Sequence, residues 1–171
     1  CPIFFNPNRF TLLKSGNFAL SEHPDSIGIK GWDASYNRIT TWAILKEKRN
    51  GKELVFFNTH LDNDGKIARK EIAPHIPAIL TGDFNCTPDE TPLQVLEKNG
   101  MKNSLKTANV TYGPSWSFHD FGRLTKEECT LLDYIFTTDN IEVNRYRVIQ
   151  DKPNNGFLSD HYPILVKLAF K

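Results

Sequence analysis

A chain of 171 residues with 39% hydrophobic content can bury one sizeable core, so a single domain over residues 1–171 is expected. Its 21 Lys and Arg against 20 Asp and Glu leave a net charge of +1, which excludes a global field that draws in duplex DNA but not a local basic patch. The three cysteines, Cys1, Cys86 and Cys129, are odd in number and widely spaced, which fits free thiols rather than a zinc site or a disulfide framework. No run of about 18 apolar residues is present to span a membrane. No signal peptide is recognisable, yet the first residue is Cys1 rather than Met, as in a chain whose upstream part was removed or left out. The compartment therefore stays open between secreted or periplasmic and cytoplasmic.

Residues 1–36 are rich in aromatics and turn formers. Phe4-Phe5, the turn Asn6-Pro7-Asn8 and the run Arg9 to Leu13 predict a hairpin. Ser15-Gly16-Asn17 predicts a second turn, and Phe18 to Ser21 another short extended piece. A loop through Pro24, Gly28 and Gly31 follows, in which Trp32 and Tyr36 either pack onto the body or line a groove. Next, Arg38 to Leu45 and Glu53 to Thr59 flank Lys48-Arg49-Asn50-Gly51-Lys52, and Asn-Gly between two β-rich runs is a strong hairpin signal.

Beyond His60-Leu61-Asp62, the stretch Lys66 to His75 shows Ile67, Lys70, Glu71 and Ile72 at helical spacing and predicts a short helix that stops before Pro74. Pro77 to Leu80 reads as a buried strand running into Gly82-Asp83-Phe84-Asn85. In extended backbone Asp83 and Asn85 share a face while Phe84 anchors the opposite one. Asp and Asn also favour turns, and a turn is an equal reading of this stretch. Thr91-Pro92 to Asn99-Gly100 predicts a helix with Thr91 as N-cap and Gly100 just past its end. The loop 113–122 carries Trp116, Phe118, His119 and Phe121. Strands are expected over Leu131 to Phe136, Ile141 to Ile149 and Pro163 to Phe170, the last with Ile164, Val166, Leu168 and Phe170 on one face.

Polar residues stand at the strand ends where packing does not need them. His60 alone reads first as a hydrogen-bonded strand-end histidine. Asp133, flanked by Leu132 and Tyr134, is harder to dismiss: a carboxylate there is partly buried and needs a partner, and His161 is the natural one. Asp160 and His161 are adjacent and so serve different neighbours. As a set, these residues point to phosphoester chemistry.

The motifs Asn58-Thr59-His60-Leu61, Gly82-Asp83-Phe84-Asn85, Leu132-Asp133-Tyr134-Ile135-Phe136 and Ser159-Asp160-His161-Tyr162-Pro163 resemble, in order and spacing, those of the endonuclease/exonuclease/phosphatase superfamily that includes DNase I. The resemblance implies an α+β fold, a four-layered sandwich of two packed mixed β-sheets flanked by helices. It puts Asp83 and Asn85 at the attacking water and a phosphoryl oxygen, His60 and an Asp133–His161 pair in the active site, Asp160 on a divalent cation and Arg38 on the substrate phosphate. Oxygen donors of this kind suit Mg²⁺, with Mn²⁺ or Ca²⁺ as alternatives.

The expected activity is metal-dependent hydrolysis of a phosphoester by a monomer. Nucleic acid, phospholipid and sugar phosphate all remain open as substrates, because the motifs handle the phosphate and not what it is attached to. The alternative is a non-catalytic ligand- or protein-binding module that keeps the fold. The family's first strands, which bear an Asn and a metal-ligating Glu, are not visible ahead of Cys1. A polypeptide that truly began there is expected to lack a complete metal site and to be inactive.

Overall fold

The computed structural model describes residues 1–31, 34–61, 77–152 and 156–171. The helix expected within 66–75 and Trp32 lie outside them. Strands β2 (Ile39–Glu47) and β3 (Glu53–His60) form the expected antiparallel hairpin, its turn closed by the Gly51 amide donating to the Glu47 carbonyl at 2.9 Å. β3 runs parallel to β4 (Ala78–Asp83), and β4 antiparallel to β7 (Asp133–Thr137). β1 (Phe10–Ala19) on one side and the two-residue β5 (Lys102–Asn103) on the other complete a six-stranded sheet of order β1-β2-β3-β4-β7-β5. β6 (Val110–Tyr112), β8 (Ile141–Val148) and β9 (Ile164–Phe170) make a three-stranded sheet in the order β6-β8-β9. Both sheets mix parallel and antiparallel pairs, and two mixed sheets with short helices agree with the expected α+β class.

Period-two alternation builds two cores from the same strands. Ile79 and Ile135 face the second sheet and pack with Leu45, Leu54 and Ile141; Ile164, Val166, Leu168 and Phe170 close over them from β9. Leu80, Tyr134 and Phe136 face the other way and pack against Leu93 and Leu96 of α1 (Thr91–Lys98) and Leu105 of the one-turn α2 (Ser104–Thr107). Phe84 is 1% exposed in this second core and meets Tyr134 edge-on, with centroids 5.5 Å apart. It is the anchor that fixes where β4 ends.

Three local expectations give way to tertiary contacts. Ser15-Gly16-Asn17 is not a turn but the middle of β1, paired with Ala43, Trp42 and Thr41. Gly16 is there because a Cβ would lie 2.9 Å from the Trp42 ring, and Asn17 is held by the Thr41 hydroxyl, which donates to it at 2.7 Å. The Asn6 turn forms, with its carbonyl accepting from Arg9 and Phe10, but residues before it are not strand, so no hairpin precedes β1; β2 is its partner instead. Thr91 is the first helical residue rather than the cap: Glu90 holds the N-cap position with extended backbone, and its carboxylate bonds back to the Thr87 amide at 2.8 Å.

Gly82 is the tightest backbone approach around the site. A Cβ there would overlap the Thr59 carbonyl oxygen of the neighbouring β3, so only glycine lets the two strands lie at pairing distance. Gly82→Ala is expected to lower stability by more than about 1 kcal/mol, as for other substitutions that a backbone cannot accommodate. Urea unfolding of the variant against the parent checks this.

Candidate active site

Strand register assembles the site. His60 pairs with Asp83 across the parallel β3–β4 ladder, and Asp83 pairs with Asp133 across the antiparallel β4–β7 ladder. Three polar residues thus stand side by side on neighbouring strands, at the edge of a cleft of about 800 Å³ that they help to line. Beyond Asp83 the chain leaves the strand. Asn85 has φ +47, and its amide donates to Asp83 Oδ1 at 2.9 Å, a turn closed by the Asp side chain. The extended geometry expected for Asn85 is therefore corrected: the turn reading describes the backbone, and the side chain is positioned by its Nδ2 donating to the Leu61 carbonyl at 3.0 Å.

His161 reaches the group from the residues leading into β9. Its Nδ1–H donates to Asp133 Oδ2 at 2.6 Å, and its Nε2 lies 4.0 Å from Asp83 Oδ2. His60 Nε2 is 3.4 Å from the same Asp83 oxygen. Each histidine responds to its setting differently. The hydrogen bond to Asp133 holds the His161 pKa above the usual imidazole value despite partial burial, with Asp83 and Asp160 adding to the effect. Burial pushes His60 below that value; Asp83 opposes the shift and Arg38 reinforces it. Burial also raises Asp83, against the Asn85 amide, which lowers it, and the Asp133 charge raises it further. The result is one imidazole biased toward the cation, one biased toward the neutral base, and a carboxylate with enhanced proton affinity.

The donor atoms of Asp83, Asp133 and His161 lie within 4.8 Å of one another. His161 Nδ1 is bonded to Asp133, so the trio offers a cation the two carboxylates and, when the ring is neutral, His161 Nε2; the oxygen donors suit a hard divalent ion. Asp160 is outside the trio. Its Oδ1 accepts from the Ser159 hydroxyl at 3.1 Å, and its carbonyl accepts from the His119 amide. Arg38 precedes β2, half-buried, with its guanidinium 5.4 Å from the Tyr36 ring.

The aromatic loop holds a residue to which no sequence motif pointed. Ser117, fully buried, accepts through Oγ from the amides of both Leu132 and Asp133 at 3.1 Å, while its carbonyl accepts from the Tyr162 amide at 2.8 Å. It therefore ties Asp133 to the segment carrying His161. Phe118 packs on the His161 ring with centroids 5.0 Å apart, and His119 is buried between Phe157 and Tyr162. Phe121 is exposed with φ +53. The only sequence cue was a small hydroxyl between two aromatics, Trp116 and Phe118, and such a serine has no distinctive pattern.

A profile of the endonuclease/exonuclease/phosphatase family matches residues 22–161. Among solved structures, an endonuclease/exonuclease/phosphatase from Bacteroides vulgatus is 37% identical at a TM-score of 0.91, with 98% of this chain and 69% of that one aligned. The mannosyl-6-phosphatase of Bacteroides thetaiotaomicron is 32% identical at a TM-score of 0.85, over 97% of this chain and 69% of that one. The human Nocturnin catalytic domain, at 19% identity, 98% and 62% coverage and a TM-score of 0.66, shares the fold. A comparison with curated proteins returns no match. The chain belongs to the endonuclease/exonuclease/phosphatase family, a generally hydrolytic family whose members typically depend on a divalent metal.

Because the folded state binds the His161 proton more tightly, the stabilisation from the Asp133–His161 pair is fully present below the ordinary imidazole pKa of about 6.5. It is lost as pH rises through the raised value. Histidine NMR titration of the metal-free protein should place His161 above about 6.5, and Asp133→Asn should bring it down. Ser117→Ala should also lower the His161 pKa, because Asp133 loses its brace. Leaving two amides without an acceptor should destabilise the fold by about 1–3 kcal/mol in a denaturation curve.

Proposed function

We infer that the protein is a divalent-metal-dependent phosphoester hydrolase centred on His60, Asp83, Asn85, Asp133 and His161. The observation that carries this reading is the pair of directly opposed, half-buried carboxylates, Asp83 and Asp133, with a histidine against each. Like charges opposite one another in a sheet are unfavourable on packing grounds alone, so the arrangement makes sense as a site for cations and for a reaction that moves protons.

Asp83, with its raised proton affinity and its orientation fixed by the Asn85 amide, accepts a proton from water as the water oxygen attacks phosphorus. The bond from phosphorus to the ester oxygen breaks with its electron pair remaining on that oxygen, which takes a proton from solvent water as it leaves, and Asp83 returns its proton to solvent. His161, kept in its charged form by Asp133, faces the developing negative charge on the phosphoryl oxygens. His60, biased toward neutral, shares the Asp83 oxygen and holds the carboxylate in place. Asn85 directs its carboxamide to a phosphoryl oxygen, and Arg38 binds the substrate phosphate. Asp83, Asp133 and Asp160 would supply oxygen ligands to Mg²⁺, or to Mn²⁺ or Ca²⁺, which would polarise the phosphoryl group as a Lewis acid.

A small phosphate ester is the favoured substrate, since the 32% identical Bacteroides protein is a mannosyl-6-phosphatase and the near-zero net charge gives little attraction for a polyanion. Hydrolysis of phosphate esters in Mg²⁺, with and without a chelator, tests the reading. Activity should vanish on metal removal, and Asp83→Ala or His161→Ala should each lower kcat by about 10²–10⁴-fold, the usual range for general acid–base groups. Retained rates in either variant would rule out the role assigned to that residue.

A further inference from the structure

The β4–β7 ladder ends at the Asp83–Asp133 pair, so the chain beyond Asp83 and the chain ahead of Asp133 are held together by other bonds. The first is the Phe84 amide, which donates to the Leu132 carbonyl at 2.8 Å. The second comes from the helix-side core, where Tyr134 is 2% exposed. Its hydroxyl lies 2.9 Å from the Cys86 carbonyl oxygen and 2.8 Å from that of Leu131. A phenol has one proton, which it gives to one carbonyl at a time or shares between the two. Either way, the segment that follows Asn85 and the segment that leads to Asp133 are drawn to one oxygen atom.

The two ties bracket Asn85. Its φ of +47 is a conformation that few side chains tolerate, and a turn held in it needs anchors on both sides. Phe84 supplies the one before and Cys86 the one after. Between them, Asn85 Nδ2 spends one N–H on the Leu61 carbonyl at 3.0 Å, which leaves the second N–H as the donor for a phosphoryl oxygen. The hydroxyl is the part of Tyr134 that this geometry requires: the ring packs edge-on against Phe84 and would do so as phenylalanine, whereas a buried hydroxyl costs stability unless it is bonded. Burial pushes its pKa far above the usual phenol range, so it stays a proton donor at any pH at which the protein is folded.

We propose that Tyr134 is a positioning residue for Asn85: its hydroxyl holds the Cys86 carbonyl to the segment entering β7 and so fixes the turn that aims the Asn85 carboxamide at a phosphoryl oxygen. The proposal rests on the hydrolytic reading above for the task of Asn85, but the hydroxyl bridge is defined independently of it.

Steady-state kinetics on p-nitrophenyl phosphate with Mg²⁺, in a cycle of Tyr134→Phe, Asn85→Ala and the double variant, test the role. Tyr134→Phe should lower kcat about tenfold, the loss expected for one hydrogen bond, and by less than about twofold when residue 85 is already alanine. An unchanged kcat overturns the proposal. So does a loss of the same size in both backgrounds, because the hydroxyl then acts through some other group. Failure of Tyr134→Phe to fold also overturns it, since the hydroxyl would then support the whole domain and not the turn. If the parent turns over no ester, the hydrolytic reading fails and amide NMR of the metal-free protein decides. Tyr134→Phe should then shift the Asn85 side-chain NH₂ pair and speed exchange of the Asn85 backbone amide that Asp83 holds by about tenfold, and unmoved signals would overturn the positioning role.

Discussion

Two carboxylates directly opposite each other on adjacent strands are a liability in a sheet, and much of the structure follows from holding Asp83 and Asp133 in that position. Their pairing is imposed by the β4–β7 register, which the buried side chains on both faces enforce: slipping β7 by one residue would turn Ile135 away from the inter-sheet core and Tyr134 into it. The sheet thus converts packing energy into a local electrostatic strain that only positive charge relieves. His161, biased toward the cation, answers it beside Asp133, and the site is oxygen-rich enough to accept a divalent ion as well.

Precision at such a site depends on the elements around it. Gly82 allows β3 and β4 to approach, Phe84 pins the end of β4 in the helix-side core, and Asn85 turns the chain back onto Asp83. On the far side, the aromatic loop works as a clamp. Ser117 joins the start of β7 to the segment leading into β9, and Phe118 packs on His161. Two stretches about 28 residues apart in sequence are thereby held at hydrogen-bond distance. A dyad supported in this way keeps its geometry without help from substrate.

The α+β fold and the strand-end residues were legible because they rest on local signals: Asn-Gly between β-rich runs, period-two alternation in β9, and polar residues where apolar strands stop. The errors came where a local signal was subordinate to a distant partner. Ser15-Gly16-Asn17 has turn composition, but its glycine makes room for the Trp42 ring across the strand pair. Thr91 is the better capping residue, yet Glu90 takes the N-cap position with its carboxylate accepting from the Thr87 amide, and the helix begins at Thr91, one residue earlier than expected. Ser117 was missed because a buried serine that braces backbone amides leaves no trace in spacing or composition.

The sequence by itself determined which chemistries were at hand, since side-chain identity sets what can accept a proton, bind a cation or hold a phosphate, and four ordered motifs identified the family. Tertiary structure decided how those groups behave. Whether Asp133 faces His161, and which histidine is biased toward charge and which toward neutrality, depend on distances and burial across strands far apart in the chain. Electrostatic interactions and desolvation act through space, so their outcome is fixed only when the sheets have closed.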